Sequence, residues 1–343
     1  MAKIGIVGGT GYTGGELLRL SLEHPQFEVT CVTSRQEAGQ RVSKQWPQLA
    51  GRDELVFVAP DLDRLADCDL VFFATPNGTA MSMASALLDA DVCVIDLSAD
   101  FRFASVNDWQ RWYGLKHESP ELLPTAVYGL PELNRERIRQ ARLVACPGCY
   151  PTAILLGLLP LIEAKLVQRD SLIADAKSGV SGAGRTLSLG TLYGEVAENF
   201  KAYGITGHRH LPEIEQQLNA FYREPVTLTF VPHLVPMFRG LQATLYAKVS
   251  EGTEITADLF RTRYEKHPFV HVYDSGAPPE TRFVRGTNIC GLGVNYFKEA
   301  GRIVVISVID NLVKGAAGQA IQNANLVLGY PESQGLTSKP FFP

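Results

Sequence analysis

The sequence predicts an α/β domain built on a parallel sheet, followed by a second domain of α+β class. Three observations carry this. Short apolar strand patterns alternate with helical patterns over residues 3–96, as βαβ units and a parallel sheet require. A glycine triplet, Gly8, Gly11 and Gly14, stands directly after the first strand pattern. The alternation gives way near residues 144–151 to a mixture of helices and longer strands, and 343 residues exceed the roughly 250–300 that one core organises.

Residues 3–7 form a short apolar strand ending in glycines. A helix follows with Leu17, Leu18 and Leu20 on its buried face. Residues 27–33, rich in β-branched side chains, read as the second strand. Residues 55–58 are a weaker strand pattern, and residues 69–74 a stronger one that ends at the loop Thr75-Pro76-Asn77-Gly78. A small-residue helix over 79–88 and a strand over 92–96 complete the alternating part. Beyond it, an apolar helix is predicted from Ala153, and residues 227–231, 241–249 and 303–309 read as strands of an antiparallel or mixed sheet. A last helix is predicted over 315–328. The tail after Gly329, rich in Pro, Ser and Gly, carries no predicted element.

A net charge of −4 does not point to nucleic acid or an anionic membrane as a partner. No apolar run approaches the roughly 18 residues that span a bilayer; the densest, residues 154–162, is interrupted by Gly157 and Pro160. Met1-Ala2-Lys3 runs straight into the first strand without a signal-peptide pattern, so a cytoplasmic protein is expected. Six cysteines are too sparse for a disulfide scaffold and are expected to be reduced.

The segment Gly8-Gly9-Thr10-Gly11-Tyr12-Thr13-Gly14 opens the first helix. Its glycines permit a tight turn and close approach to a pyrophosphate, and the helix N-terminus offers free N–H groups. In the first βαβ unit this marks a Rossmann-type dinucleotide site, whereas in isolation it would be a structural turn. The second strand runs into Thr33-Ser34-Arg35, with no carboxylate before Glu37. An NAD site usually places Asp or Glu there for the ribose 2′-hydroxyl. A hydroxyl beside a guanidinium suits a 2′-phosphate, so Ser34 and Arg35 favour NADP; the alternative is a solvated surface arginine.

Residues 144–152, Val-Ala-Cys-Pro-Gly-Cys-Tyr-Pro-Thr, place Cys149 just before a predicted helix. The helix dipole there stabilises a thiolate and lowers the thiol pKa, as covalent catalysis needs. Cys146 and Cys149 also form C-x-x-C, the pattern of a redox dithiol or half a zinc site. No second cysteine pair completes a four-thiolate site. A buried structural cysteine is the remaining alternative, and Cys146 is the more incidental of the two. His208-Arg209-His210-Leu211-Pro212-Glu213 gathers two of the seven histidines. Either imidazole suits proton transfer near neutral pH, and Glu213 could orient one or bind a cation. No third metal ligand is evident nearby, and no metal is expected.

Asp96-Leu97-Ser98-Ala99-Asp100-Phe101-Arg102 follows a strand on the ligand-binding side of an α/β sheet. Arg102 is the candidate for a substrate phosphate or carboxylate; a salt bridge to Asp100 or Asp96 is its alternative. Residues 178–185 form a second glycine-rich loop. Ser178 and Gly179 are assigned to the cofactor and Ser181 and Gly182 to the substrate, against a flexible hairpin connection.

Together these segments resemble the N-acetyl-gamma-glutamyl-phosphate reductases (N-acetyl-glutamate semialdehyde dehydrogenases), type 1 subfamily, of arginine biosynthesis. The likeness runs nearly end to end. It takes in Tyr128-Gly129-Leu130-Pro131-Glu132-Leu133-Asn134, Pro147-Gly148-Cys149-Tyr150-Pro151-Thr152, Val231-Pro232-His233-Leu234-Val235-Pro236-Met237 and residues 310–320. The glycine triplet and final helix are shared with aspartate-semialdehyde dehydrogenases. The resemblance implies a semialdehyde-dehydrogenase-like fold. Residues 1–148 with 312–330 would form the NADP-binding Rossmann domain, and 149–311 the catalytic and dimerisation domain. It implies Cys149 as nucleophile, His208 and His210 at the active centre, and a homodimer or homotetramer. Asn77 departs from it, standing where many relatives carry histidine in the loop Thr75-Pro76-Asn77-Gly78, which the resemblance implies is the nicotinamide-side loop.

The expected reaction is NADPH-dependent reduction of N-acetyl-L-glutamyl 5-phosphate to N-acetyl-L-glutamate 5-semialdehyde and phosphate through a Cys149 thioester. A cysteine hydrolase would not use the glycine turn, and a non-catalytic NADP sensor would not use the thiol beside paired histidines. An aspartyl or carrier-linked aminoadipyl phosphate is the rival substrate.

Overall fold

Six short strands, mostly apolar along their whole length, make one parallel sheet, as expected of strands covered on both faces. They are β1 (Ala2–Val7), β2 (Phe27–Thr33), β3 (Leu70–Phe73), β4 (Cys93–Asp96), β5 (Val127–Tyr128) and β6 (Leu143–Ala145). In this computed structural model, which describes residues 1–51, 55–222, 225–250, 254–274 and 276–340, the sheet runs β2-β1-β3-β4-β6-β5. The chain divides into two units, Met1–Pro147 with Ala316–Thr337 and Gly148–Gly315 with Ser338–Pro343. The parallel sheet belongs to the first, together with the helices Tyr12–Glu23, Thr79–Asp89 and Gly318–Val327. Leu17, Leu18 and Leu20 are buried, as their spacing predicts. Val7, Phe73, Ala80, Met81, Phe101 and Trp109 belong to one apolar cluster.

Residues 55–58 are not a strand. Val58 forms an isolated bridge to Thr33 and Val56 one to Arg41. Val58 exchanges bonds with Val32 and Ser34 at 2.9 Å, but Pro60 follows two residues later and has no N–H to continue a ladder.

The second unit contains β7 (Leu172–Gly179), β8 (Lys201–Ala202), β9 (Leu228–Val235), β10 (Leu241–Lys248), β11 (Val270–Val272), β12 (Cys290–Phe297) and β13 (Arg302–Ile309). Their order is β11-β12-β13-β10-β7-β9-β8. The sheet is mixed, since β7/β9 and β11/β12 run parallel and the other pairs antiparallel. β9 continues past the predicted end at Val231 and through Pro232. The Pro232 carbonyl accepts from Tyr203 N at 3.0 Å, so the missing N–H also faces the short β8 flank and leaves the β7 ladder intact.

The helix Cys149–Glu163 is buried throughout from Tyr150 to Ile162, as an apolar-all-round sequence requires. It packs on β10 and β13. It starts four residues ahead of the predicted Ala153, so Cys149 is its first residue. Pro151 is tolerated because first-turn N–H groups have no intrahelical partner. Pro160 lies inside the helix and leaves the Leu156 carbonyl without its usual donor. The Tyr264 hydroxyl supplies one at 2.6 Å. No helix among the described residues is long and apolar enough to cross a membrane.

Candidate active site

In the first unit the chain leaves β1 at Gly8 with φ +92°, where a Cβ would lie 2.5 Å from the Ala74 carbonyl oxygen. Gly14 carries the following helix against the Gly8 carbonyl, where any side chain would overlap. Gly11 is the helix N-cap and faces open space. Tyr12 and Thr13 begin the helix, whose first-turn N–H groups lack intrahelical acceptors. Beside this turn lies a cavity of about 400 Å³ lined by Gly8, Thr10, Ser34 and Arg35 of the predicted set.

The cavity also takes Thr33, and Thr75 and Asn77 of the loop after β3. The hydroxyls of Thr33 and Thr75 are buried without a hydrogen-bond partner. Ser34 Oγ accepts the Glu37 N–H at 3.1 Å and fixes the turn that presents Arg35. Arg35 is exposed and forms no ion pair among the described residues. An open helix start, two orphaned hydroxyls and an uncommitted guanidinium fit a phosphorylated dinucleotide.

In the second unit Cys149 is half-buried at the positive end of its helix dipole. Glu213 is fully buried, and its Oε1 accepts the Gly148 N–H at 2.9 Å. The carboxylate thus braces the backbone ahead of the thiol, a role the sequence analysis did not foresee when it offered an imidazole or a cation. His210 opens the helix His210–Asn219. Its Nε2 lies so close over Gly148 that a side chain there would overlap the ring. Gly315 lies in the wide π turn Val313–Ala317, and a Cβ on it would stand 2.7 Å from Cys149 Cβ.

His208 Nδ1 accepts the His210 N–H at 3.1 Å, which places a neutral ring's proton on Nε2. Its ring lies edge-on to Tyr150, Tyr203 and Phe230. Burial, and then the neighbouring Arg209, lowers its pKa to about 4, so it is uncharged near neutral pH. A cavity of about 300 Å³ is lined by Cys149, Ser178, Gly182, His208 and His210. Lys201, Tyr203 and Arg209 complete its polar wall.

The second glycine loop is not a flexible hairpin. Ser178 and Gly179 end β7, and residues Val180–Ala183 form a 3₁₀ turn. Ser178 and Gly182 face the Cys149 cavity. Gly179 N–H is taken by the Gly240 carbonyl at 2.9 Å. Ser181 Oγ donates to Phe238 O at 2.6 Å and accepts from Asn311 Nδ2 at 2.9 Å. Gly179 and Ser181 therefore hold the loop in place.

Arg102 also differs from expectation. It is buried, with Nε donating to the Cys146 carbonyl at 2.6 Å and Nη2 to the Leu97 carbonyl at 3.0 Å. Its guanidinium clamps two stretches of main chain. Cys146 is buried, with Asn323 Nδ2 at 3.4 Å from its sulfur. Among the described residues no group of three or more His, Cys, Asp or Glu side chains could hold a metal ion.

Residues 3–141 match the family model described as the semialdehyde dehydrogenase NAD binding domain, and residues 149–311 the one described as the semialdehyde dehydrogenase dimerisation domain. A Laribacter hongkongensis protein named N-acetyl-gamma-glutamyl-phosphate reductase is 57% identical over 343 residues, covering 100% of both chains. The chain belongs to the N-acetyl-gamma-glutamyl-phosphate reductase family.

Reductases of that name from Alkalilimnicola ehrlichii and Pseudomonas aeruginosa are 58% and 56% identical, again over 100% of both chains. The fold extends further. Aspartate semialdehyde dehydrogenase II from Vibrio cholerae, solved with ASA, superposes with a TM-score of 0.72 at 18% identity, covering 96% of this chain and 98% of that one. The Candida albicans aspartate semialdehyde dehydrogenase, solved with NADP, gives 0.72 at 16%, with the same coverage. The resemblance drawn from the sequence is borne out, and so is the fold class. Lys201, Tyr203 and Gly315 stand outside the candidate residues named from the sequence. Lys201-Ala202-Tyr203 carried only its closeness to His208 as a signal, and Gly315 read as an ordinary helix residue.

Proposed function

We propose that this chain reduces N-acetyl-L-glutamyl 5-phosphate to N-acetyl-L-glutamate 5-semialdehyde and phosphate with NADPH, a step of arginine biosynthesis. It does so in the cytoplasm, as a homodimer or homotetramer. Residues 1–148 with 312–330 serve the cofactor, and 149–311 serve catalysis and assembly. The observation that carries this reading is a thiol at a helix start, in one cavity with two imidazoles and two cations.

Gly8, Thr10, Gly11, Tyr12, Thr13 and Gly14 receive the pyrophosphate, and Ser34 and Arg35 the 2′-phosphate. His210, whose Nε2 lies against Gly148, takes the Cys149 proton. The helix dipole favours the resulting thiolate. The sulfur attacks the acyl carbon, the bond to phosphate breaks, and His210 returns the proton to the departing phosphate. Lys201 and Arg209 meet the phosphate charge, in place of Arg102. Ser178 and Gly182 shape the acyl pocket. When bound, NADPH supplies the hydride that reduces the thioester. The C–S bond then breaks to release the aldehyde and regenerate the thiolate, which takes one proton from solvent. His208 stays neutral and anchors His210.

Enzyme given the aldehyde and NADP⁺ without phosphate should release one equivalent of NADPH per active site and carry an acyl group on Cys149, found by peptide mass. Cys149→Ser should lose at least about a thousandfold in rate. Near-normal turnover by that variant, or acylation elsewhere, would exclude the mechanism.

A further inference from the structure

We infer that Asp100 is a positioning residue for the nicotinamide half of bound NADPH, acting through the turn at residues 75–78. This deepens the cofactor assignment and rests on it.

The sheet order supplies the direction. Ser34 and Arg35 follow β2, the glycine turn follows β1, and residues 75–78 follow β3, which are neighbours in the order β2-β1-β3. A dinucleotide lying across the carboxyl ends of these strands, with its 2′-phosphate at Arg35 and pyrophosphate on the glycine turn, carries its other half over the end of β3. Thr75, Pro76, Asn77 and Thr79 there line the same cavity as Arg35.

What holds that turn is Asp100. Gly78 is the N-cap of helix Thr79–Asp89, has φ +97° and brings no capping side chain. The fully buried Asp100 carboxylate takes over from a distance in sequence. Its Oδ1 and Oδ2 accept the Gly78 N–H at 2.9 and 3.0 Å, and Oδ2 accepts the Met81 N–H at 3.1 Å. A carboxylate on these donors is a charge-assisted cap at the positive end of the helix.

Asp100 is itself locked. Its N–H donates to Asp96 Oδ2 at 2.9 Å and its carbonyl accepts from His117 Nε2 at 2.8 Å. The preceding Ala99 is held at φ +94°, with its carbonyl bonded by Trp109 Nε1 at 2.9 Å. A non-glycine residue persists in that conformation only where its surroundings over-determine it. The frame transmits a fixed position through Asp100 to the residues facing the ligand, while Asp100 stays clear of it.

The test is calorimetric titration of the full chain with NADPH and with adenosine 2′,5′-bisphosphate, which reaches only the Arg35 and glycine-turn end. Asp100→Asn should weaken NADPH about tenfold or more and leave the bisphosphate within about twofold. Gly78→Ala attacks the same turn from the other side. Its Cβ would meet only Met81 Cε at 3.6 Å and Leu115 Cδ1 at 4.0 Å, so it strains φ without a clash and should show the same split. If Asp100→Asn does not fold, Gly78→Ala decides alone. Parallel loss of both ligands, or NADPH affinity unchanged, overturns the inference. Wild-type protein that binds neither ligand would instead overturn the cofactor assignment.

Discussion

Gly315→Ala isolates the packing that seats the thiol. The new methyl would stand 2.7 Å from Cys149 Cβ, and 3.2 Å from both Cys149 Cα and Ile309 Cδ1. Ordinary contact begins at 3.4 Å, so the closest approach is about 0.7 Å short. Ile309 can give way at its flexible tip, but Cys149 Cβ is bonded directly to a helix backbone buried from its second residue onward. Such overpacking costs about 1–3 kcal/mol. At roughly 2–4 °C per kcal/mol for a unit of this size, Tm should fall by about 4–8 °C for the middle of that range. A sulfur displaced by a good fraction of an ångström should cost about a hundredfold in kcat/KM. Calorimetry, steady-state rates and alkylation of Cys149 measure the three consequences on one preparation. Rates within twofold of wild type, with Tm lowered by less than about 1 °C, would refute the reasoning.

Three further expectations follow from the site. Glu213→Ala strands the Gly148 N–H and should cost about 1–3 kcal/mol, together with slower Cys149 alkylation; Glu213→Gln keeps an acceptor and should recover much of both, so equal damage from the two variants would discard the brace. His208, with its pKa lowered to about 4 from 6.5, is protonated first in the unfolded chain. Stability should therefore fall as pH drops from about 6.5 toward 4 and be unaffected by this group above 6.5. Urea midpoints against pH should flatten over that window in His208→Asn, and an unchanged slope would count against it. Arg35→Ala should weaken NADPH about ten- to hundredfold while NADH is unaffected, an outcome that binding titrations with both dinucleotides can deny.

Strands β1 to β4 of the first unit were legible because burial on both faces leaves continuous apolar runs such as Leu70-Val71-Phe72-Phe73. β7 was not, since Asp175 and Lys177 alternate with small apolar residues along it. β12 was masked by Gly291 and Gly293, and β5 and β8 are two residues long. The candidate site was legible where its features are local, in the glycine spacing, the cysteine at a helix start and the paired histidines. It was illegible where a partner is remote. Glu213 reaches a backbone N–H 65 positions away, and Arg102 spends its Nε on a carbonyl 44 positions away. A sequence displays a carboxylate or a guanidinium, but not the main-chain groups that folding brings to it.

Tyr264, in donating to the carbonyl that Pro160 leaves bare, seals the middle of a rod with no wet side. Amides along that rod have no local route to solvent and should exchange only when the whole unit opens. The Cys149 sulfur, proposed as the nucleophile, is mounted on the end of this buried helix. On the proposed mechanism, substrate capture and product escape therefore fall to the loops and side chains around it rather than to the helix.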